Sequence, residues 1–238
     1  VGLINGSFYA VLSLGLAVIF GMLNIINFAH GAQYMMGAFI AWMGLTQLGV
    51  WMDDASFRIN YWAALIVAPV LTGAIGIGIE RTMLSRLSKL DHLYGLLLTF
   101  GLALIIEGLF RYAYGVSGQP YEIPEALQGA LNLGFMFLPK YRAWVIVASL
   151  SVCFGTWYLI ERTRLGAYLR AGTENPRLVQ AFGVNVPRMV MLTYGFGVAL
   201  AALAGVLASP IIQVNPLMGS NIIIVVFAVV VIGGMGSI

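Results

Sequence analysis

The sequence contains very little charge. Its 238 residues include 12 Lys and Arg and 9 Asp and Glu, so only 9% of the chain is charged, whereas soluble domains carry about a quarter of their residues as charges. Hydrophobic residues make up 61% of the chain, which also excludes a disordered protein, because disorder requires low hydrophobicity and high net charge. The composition predicts an all-α fold, a polytopic transmembrane helical bundle in which residues 1–238 form a single membrane domain.

Residues that carry chemistry are also scarce. A single cysteine, Cys153, excludes an intrachain disulfide. The two histidines, His30 and His92, are too far apart for an HExxH zinc motif, and the sequence contains no GxxxxGK[ST] phosphate-binding loop and no GxSxG motif. We therefore expect a protein that is not an enzyme, that needs no cofactor or metal, and that does not itself hydrolyse ATP.

Gaps between the charges outline seven membrane spans. Residues 1–52 contain no charge, and as a helix rising about 1.5 Å per residue this run is long enough to cross a hydrocarbon core of about 30 Å twice, reversing near residues 24–31. Five further spans are predicted, at 61–79, 93–110, 143–160, 189–208 and 219–238. Since the chain begins with Val1 and ends inside an apolar run, we expect both termini to be trimmed and C-terminal spans to be missing.

Lys and Arg residues are distributed unequally between the two ends of these spans. Eight lie on one side, and these are Arg81, Arg86, Lys89, Arg162, Arg164, Arg170, Arg177 and Arg188. Four lie on the other side, and these are Arg58, Arg111, Lys140 and Arg142. Because short cytoplasmic loops are enriched in Lys and Arg, the first side is predicted to be cytoplasmic, segment 111–142 external and the first residue outside. The same rule accounts for the net charge of +3 without a nucleic-acid partner.

Glu107 is the one carboxylate that the sequence places well inside a span, and Arg111 follows it at i+4. An ionisable residue within the membrane is a functional candidate by default. An i,i+4 pair close to the external end of a helix is also a common structural ion pair. Both interpretations stay open at this point.

Polar residues and prolines interrupt the apolar runs at two places. Asn27 and His30 lie at the first reversal, where such side chains either bind a ligand or satisfy broken backbone hydrogen bonds, or else cap one helix and start the next near the cytoplasmic surface. Ser209-Pro210 and Asn215-Pro216 interrupt the C-terminal run, either as external turns or as the edge of a broken helix over a cavity.

Small residues recur every four positions in the sixth span, at Gly197, Ala201 and Gly205. Helices in lipid associate through close packing at small residues. The spacing favours a tight contact between helices of the same chain over a dimer seam.

Segment 161–188 predicts a short amphipathic helix in a cytoplasmic loop. Thr173 fits an N-cap, Pro176 a first turn and Gly183 a C′ position. The apolar residues between them are Leu178, Val179, Ala181 and Phe182. About two turns of helix are too short to be stable alone. The apolar patch therefore indicates docking to another protein, with packing against the chain's own membrane domain as the alternative.

Several blocks of the sequence together resemble the LivH-type permease of branched-chain amino acid ABC importers, within the inner-membrane permease superfamily. They are residues 2–10, the Asn-Phe-Ala-His-Gly motif at 27–31 with Met-Gly-Ala at 36–38, the stretch 161–188, and the blocks at 216–219 and 233–238. The Asn-Phe-Ala-His-Gly motif resembles LivH more than its LivM paralogue. Members of this family continue beyond the last block with one or two more spans.

The resemblance implies a multi-pass subunit of an ATP-driven importer in the bacterial cytoplasmic (inner) membrane. Its implied partners are cytoplasmic ATP-binding subunits, a second permease subunit of the LivM-like type, and a periplasmic binding protein that delivers branched-chain or related amino acids. The family's ATPase-coupling element corresponds to Glu174, Asn175, Pro176, Leu178, Val179, Ala181, Phe182 and Gly183.

The candidates for the translocation pathway are Asn27, His30 and Glu107. Two alternative functions stay open. One is a urea or short-amide permease of the same superfamily. The other, from a different class, is a stand-alone secondary transporter or channel.

Overall fold

The computed structural model describes residues 2–23, 26–48, 59–87, 90–132 and 137–234. Its helices are α1 (Gly2–Leu23), α2 (Ala29–Thr46), α3 (Tyr61–Ile79), α4 (His92–Tyr114), α5 (Lys140–Arg162), α6 (Arg164–Glu174), α7 (Pro176–Ala181), α8 (Val186–Ala208) and α9 (Met218–Gly233). Within the described residues, each predicted span overlaps one of these helices, and α6 and α7 form the connection between α5 and α8. The prediction of an all-α polytopic bundle is confirmed.

Four helices of the described segments are long and apolar enough to cross a membrane. They are α4, α5, α8 and the continuous stretch Tyr61–Leu87, in which α3 continues through a π-helical turn (Glu80–Leu84) and a last α-helical turn (Ser85–Leu87). Shorter apolar stretches lie in α1 and α9, at Asn5–Gly21 and Met218–Gly233. The interior helix α2 differs from all of these, since 14 of its 18 residues are buried.

Helix α8 forms the centre of the bundle and packs against α1, α2 and α3. The backbones approach so closely that a Cβ atom added at Gly197 would lie 2.7 Å from the carbonyl oxygen of Gly15. A Cβ atom at Gly205 would collide with the carbonyl oxygen of Tyr34 in α2, and Ala201 between them is fully buried. The small residues of the sixth span therefore line a contact within the chain, as their spacing predicted.

The predicted loop 111–142 connects α4 to α5 and carries a small antiparallel hairpin. Its strands are β1 (Ala130–Asn132) and β2 (Phe137–Pro139), preceded by a 3₁₀ turn (Glu125–Leu127). Gln119 in this loop exchanges two backbone hydrogen bonds with Val214, at 2.7 and 2.9 Å. The connection between α8 and α9 is thereby attached to the loop, a pairing that the apolar pattern did not predict.

Hydrogen bonds identify which helix ends lie together. The Tyr141 hydroxyl at the start of α5 donates to the Leu207 carbonyl oxygen at the end of α8, at 2.9 Å, and lies 3.1 Å from the Tyr61 hydroxyl at the start of α3. These ends belong to the side predicted to be external. The orientation itself stays a prediction, and two of the charges counted for it, Arg58 and Lys89, lie outside the described residues, as do residues 24–25 of the first reversal and 235–238 of the last predicted span.

Candidate functional site

A buried polar cluster forms where α2 begins. Asn27 is fully buried, and its Nδ2 donates to Gln33 Oε1 and to the Tyr194 hydroxyl, both at 3.2 Å. Gln33 Nε2 donates to the same hydroxyl at 3.0 Å. The cluster joins the first two turns of α2 to α8, the central helix of the bundle.

The same region satisfies the backbone groups that the chain reversal leaves free. Asn27 Oδ1 accepts a hydrogen bond from the Ala29 amide at 3.1 Å. The Thr99 hydroxyl of α4 accepts from the Phe28 amide at 3.2 Å, and its single proton lies within hydrogen-bonding reach of the carbonyl oxygens of Leu96, at 3.0 Å, and Ile26, at 3.3 Å. Non-helical backbone at membrane depth requires such partners, because no water is available there. Asn27 thus serves to satisfy broken backbone bonds.

The contacts of His30 show where this reversal lies along α1. Its Nε2 donates to the carbonyl oxygen of Leu12 at 2.9 Å, and Leu12 lies near the middle of α1. A Cβ atom at Gly15 would also lie 3.2 Å from the His30 ring. These contacts place the reversal inside the bundle and not at the helix ends near the surface, although the Asn27 side chain does accept a hydrogen bond from the first amide of α2, as that interpretation expected. Helix α2 begins halfway along α1, inside the bundle.

A cavity of about 90 Å³ lies between α2, α4 and α9, beside the polar cluster. Its wall includes Phe28, Gly31, Phe100, Glu107, Gly219 and Ser220. Glu107 accepts a hydrogen bond from Arg111 at 2.7 Å, and the Glu107 side chain is 20% exposed. The predicted pair is thus formed, while its carboxylate also lines a cavity, so the structure is compatible with both interpretations of Glu107.

The Asn215-Pro216 interruption is the edge of this cavity. The Asn215 Oδ1 accepts from the Leu217 amide at 3.0 Å, and Pro216 lines the cavity directly before α9 starts. The same connection pairs through Val214 with the loop predicted to be external, so the interruption both adjoins an external loop and borders a cavity, and the structure is compatible with both interpretations. Helices α2 and α9 both begin inside the bundle, and their first turns meet at this place.

The amphipathic segment contains two helices, of which α7 is the predicted one. Asn175 is its N-cap, with Oδ1 accepting from the Leu178 amide at 3.1 Å, and Pro176 occupies the first turn. Thr173 was predicted as the N-cap, and this is wrong. It lies in the last turn of α6, where its hydroxyl donates to the Arg170 carbonyl oxygen at 2.7 Å. Gly183 follows the helix with φ of +83°, as the C′ position predicts.

The apolar residues of α7 separate into an inner and an outer set. Val179 is 6% exposed, so it packs against the rest of the chain. Leu178 is 53% exposed and Phe182 is 80% exposed, and Ala181 is exposed beside them. One side chain therefore anchors the helix to the chain, while the others face away from it. Docking of these exposed side chains to another protein stays a prediction.

The structure buries four further polar residues in this region that the sequence pattern did not single out. Gln33, Thr99 and Tyr194 complete the hydrogen bonds around Asn27. Glu80, which directly follows α3, is 5% exposed and lies near Tyr194. Of these residues, only Gln33 could have been identified from the sequence, because it is a polar amide in a long uncharged run. The burial of the others depends on which helices are neighbours.

Comparisons with known proteins relate the chain to membrane transport proteins. The family model described as "Branched-chain amino acid transport system / permease component" matches residues 1–238. The high-affinity branched-chain amino acid transport system permease protein BraD of Pseudomonas aeruginosa is 31% identical over the full length of this chain, which covers 78% of that protein. The corresponding protein LivH of Escherichia coli is 27% identical with the same coverage.

A probable branched-chain amino acid transport permease protein, LivH of Methanocaldococcus jannaschii, is 29% identical over 99% of this chain, which covers 73% of that protein. No solved structure gives a significant match to the chain.

Proposed function

Because the chain belongs to the family of permease components of branched-chain amino acid transport systems, we propose that it moves branched-chain amino acids across the membrane as a subunit of an ABC importer. The family match over all of residues 1–238 carries this proposal, and the resemblance to LivH-type permeases is confirmed. The chain is a multi-pass transport subunit and not an enzyme, and ATP hydrolysis belongs to separate subunits.

Helix α7 supplies a docking element for the ATP-binding subunits in this proposal. The exposed Leu178 and Phe182 offer an apolar contact, and aromatic residues are common anchors at protein interfaces. Val179 and the Asn175 cap hold the short helix to the chain, which its length of six residues alone would not do. Helix α7 contacts α6 and α8, and α6 contacts α5. A movement of α7 caused by the ATP-binding subunits would therefore be transmitted to α8 directly and to α5 through α6.

The translocation pathway is proposed to run along the face that carries Glu107. Ser220 and Asn221 of α9 are exposed near the cavity that this carboxylate lines. Polar side chains that face lipid are costly, so this face is better suited to a second permease subunit and a hydrated pathway. The Glu107 carboxylate would attract the ammonium group of an amino acid, beside an apolar wall that includes Phe100.

Asn27 and His30 keep an indirect part in this proposal. Both are fully buried and hydrogen-bonded within the chain. They hold the start of α2 in place next to the cavity, so their effect on transport would come from positioning Gly31 and Phe28 in its wall. In this proposal Glu107 contacts the cargo directly, and Asn27 and His30 do not.

The finer assignments come from the family resemblance and are part of the same proposal. The second permease would be a LivM-like paralogue, the cargo would arrive on a periplasmic binding protein, and the membrane would be the bacterial inner membrane. In the proposed orientation α7 lies on the cytoplasmic side, where the ATP-binding subunits are found.

Transport by the assembled importer in proteoliposomes tests the function. With ATP-binding subunits, second permease and binding protein present, we expect uptake of radiolabelled leucine that requires ATP. Liposomes that contain this chain alone should take up none. ATP-independent leucine flux through the chain alone would contradict the proposal, and uptake of urea in place of leucine would assign the cargo to short amides.

A further inference from the structure

A second, larger cavity opens at the opposite end of the bundle from the hairpin. Its volume is about 370 Å³, and its wall is formed by α1, α5, α6, α8 and the residues just before α8. This volume falls within the range of small-molecule sites, about 300 to 1,000 Å³. Apolar side chains dominate the wall, among them Leu159, Leu169, Leu192 and Phe196. We call it the α6–α8 groove.

The groove extends from the end of the bundle into the membrane-spanning part. Arg188 lies in the first turn of α8 and Phe196 eight residues later, and both line the groove. At about 1.5 Å per residue, the two are separated by about 12 Å along the helix. The groove therefore begins beside a cationic residue and continues along apolar side chains toward the middle of the bilayer. A water-soluble partner would reach only its mouth.

Helix α6 forms the outer wall of the groove and has the character of an interfacial helix. Leu165, Tyr168 and Leu169 line the groove at i, i+3 and i+4, which places them on one face. Leu165 is 61% exposed and Tyr168 is 44% exposed, so this apolar face is not covered by the chain itself. Amphipathic helices with such a face and cationic flanks lie in the plane of the membrane surface.

The aromatic and cationic residues next to α6 agree with this placement. The Arg162 guanidinium lies 5.9 Å from the centre of the Trp157 ring, in the last turns of α5. Trp is enriched at membrane–water interfaces, and Arg near the ends of spans extends toward lipid headgroups. The mouth of the groove therefore lies at the level of the headgroups.

Arg188 is the charged residue of the groove wall, and it lacks an acidic partner among the described residues. The ion pairs found there are Arg111 with Glu107 and Arg170 with Glu161. Arg188 is exposed, and its backbone amide donates to Asn185 Oδ1, which fixes the start of α8. An unpaired guanidinium above an apolar groove is complementary to a molecule with an anionic head and an apolar tail.

We propose that the α6–α8 groove binds one anionic phospholipid of the cytoplasmic leaflet. Its phosphodiester accepts hydrogen bonds from Arg188, and one acyl chain lies along Leu192 and Phe196 toward the membrane centre. The site depends on the chain spanning the membrane and not on its cargo, so its test is independent of the leucine transport assay.

Mass spectrometry under non-denaturing conditions tests the lipid site. The purified chain is incubated in detergent with phosphatidylglycerol or with phosphatidylcholine that carries the same acyl chains, and the retained lipid is counted. We expect one phosphatidylglycerol per chain, retained at least fivefold more than phosphatidylcholine. Arg188→Gln should reduce the retention of phosphatidylglycerol to the level of phosphatidylcholine.

Arg86→Gln is the matched control, because Arg86 is exposed at the end of the stretch Tyr61–Leu87 and does not line the groove. It should leave retention unchanged. Leu192→Trp places a bulkier side chain in the proposed path of the acyl chain and should reduce retention of both lipids, while circular dichroism confirms that the helices are intact. Equal effects of the two arginine substitutions, equal retention of the two lipids, or full retention by the Leu192→Trp variant would overturn the proposal. Release of the bound lipid on addition of ATP-binding subunits would assign the groove to those subunits instead.

Discussion

Gly31 and Gly219 bring the first turns of α2 and α9 into direct backbone contact. A Cβ atom added at Gly31 would lie 2.6 Å from the carbonyl oxygen of Gly219, and one added at Gly219 would approach the carbonyl oxygen of Gly31 even more closely. Both residues also line the small cavity beside Glu107. Two helices that begin inside the bundle thus support each other, and only glycine allows the approach.

This contact predicts that Gly219→Ala destabilises the chain. The added methyl group meets backbone atoms, which cannot move as the end of a flexible side chain can, and overpacking of this kind costs about 1–3 kcal/mol. Thermal unfolding of the purified chain in detergent should register a clear decrease in midpoint temperature.

Gly78→Ala is the matched control, because a Cβ atom at this position in α3 has no heavy atom within 4 Å. It should be neutral or slightly stabilising, since Ala is favoured over Gly inside a helix by about 0.5–1 kcal/mol. If both variants unfold at the temperature of the unsubstituted chain, α2 and α9 can move apart at little cost.

The hydroxyl of Tyr194 predicts a second effect on stability. It accepts hydrogen bonds from Asn27 and from Gln33, so Tyr194→Phe leaves two buried amide donors short of a partner. A buried polar group without its partner costs about 1–3 kcal/mol. We expect a lower unfolding temperature, measured in the same detergent.

Tyr34→Phe provides the comparison within the same helix pair. Tyr34 is as deeply buried as Tyr194, but within the described segments its hydroxyl has no hydrogen-bond partner. Its removal should leave stability unchanged or raise it. Equal destabilisation by both substitutions would mean that the hydrogen bonds to the Tyr194 hydroxyl add no stability beyond that of a buried hydroxyl without partners.

The sequence predicted the number and position of the apolar helices because charge is excluded from the membrane core. The depth of α2 could not be predicted in the same way. Asn27 and His30 are polar whether they cap helices at the surface or fill a buried cluster, and only contacts with Leu12 and Tyr194 distinguish these cases. Such contacts join residues that are far apart in the chain, so they cannot be predicted from the local sequence pattern.

The short helix α7 illustrates a different limit. Pro176 and Gly183 were placed correctly, because each residue type suits one backbone position at a helix terminus. Thr173 and Asn175 are both good N-caps, and the choice between them depends on how far α6 extends. Val179 could not be told from its apolar neighbours either, since burial within the segment depends on where the rest of the chain lies.

The exposed position of Phe182 leads to a prediction about binding of the ATP-binding subunits. Phe182→Asp should abolish co-purification of the ATP-binding subunits, because a charge replaces an apolar contact at a side chain that is 80% exposed. The variant should retain its fold, measured by circular dichroism and thermal unfolding, since the substitution disturbs no buried packing.

Phe137→Asp is the corresponding control, in the hairpin at the other end of the bundle, where Phe137 is 73% exposed. It should leave the ATP-binding subunits bound. Retention of these subunits by the Phe182→Asp variant would remove α7 as the coupling element.

Glu107 and Arg111 allow the two interpretations of their ion pair to be separated. If the carboxylate attracts the cargo's ammonium group, Glu107→Gln should lower leucine uptake at least tenfold, while Arg111→Gln lowers it much less. If the pair is only structural, both substitutions should lower the stability by about 0.3–0.5 kcal/mol, and leucine uptake should be the same in the two variants. Uptake in proteoliposomes and thermal unfolding of the two variants decide between these outcomes.

The buried position of α2 has a consequence for the biogenesis of the protein. Its first two turns contain His30, Gln33 and Tyr34, and the polar partners of His30 and Gln33 include Leu12 and Tyr194. A helix of this composition gains little from lipid when it leaves the translocon, and α8, which supplies Tyr194, is synthesised much later. The native arrangement of α2 is therefore completed after insertion, when α8 closes over a segment already held in the membrane by its neighbours.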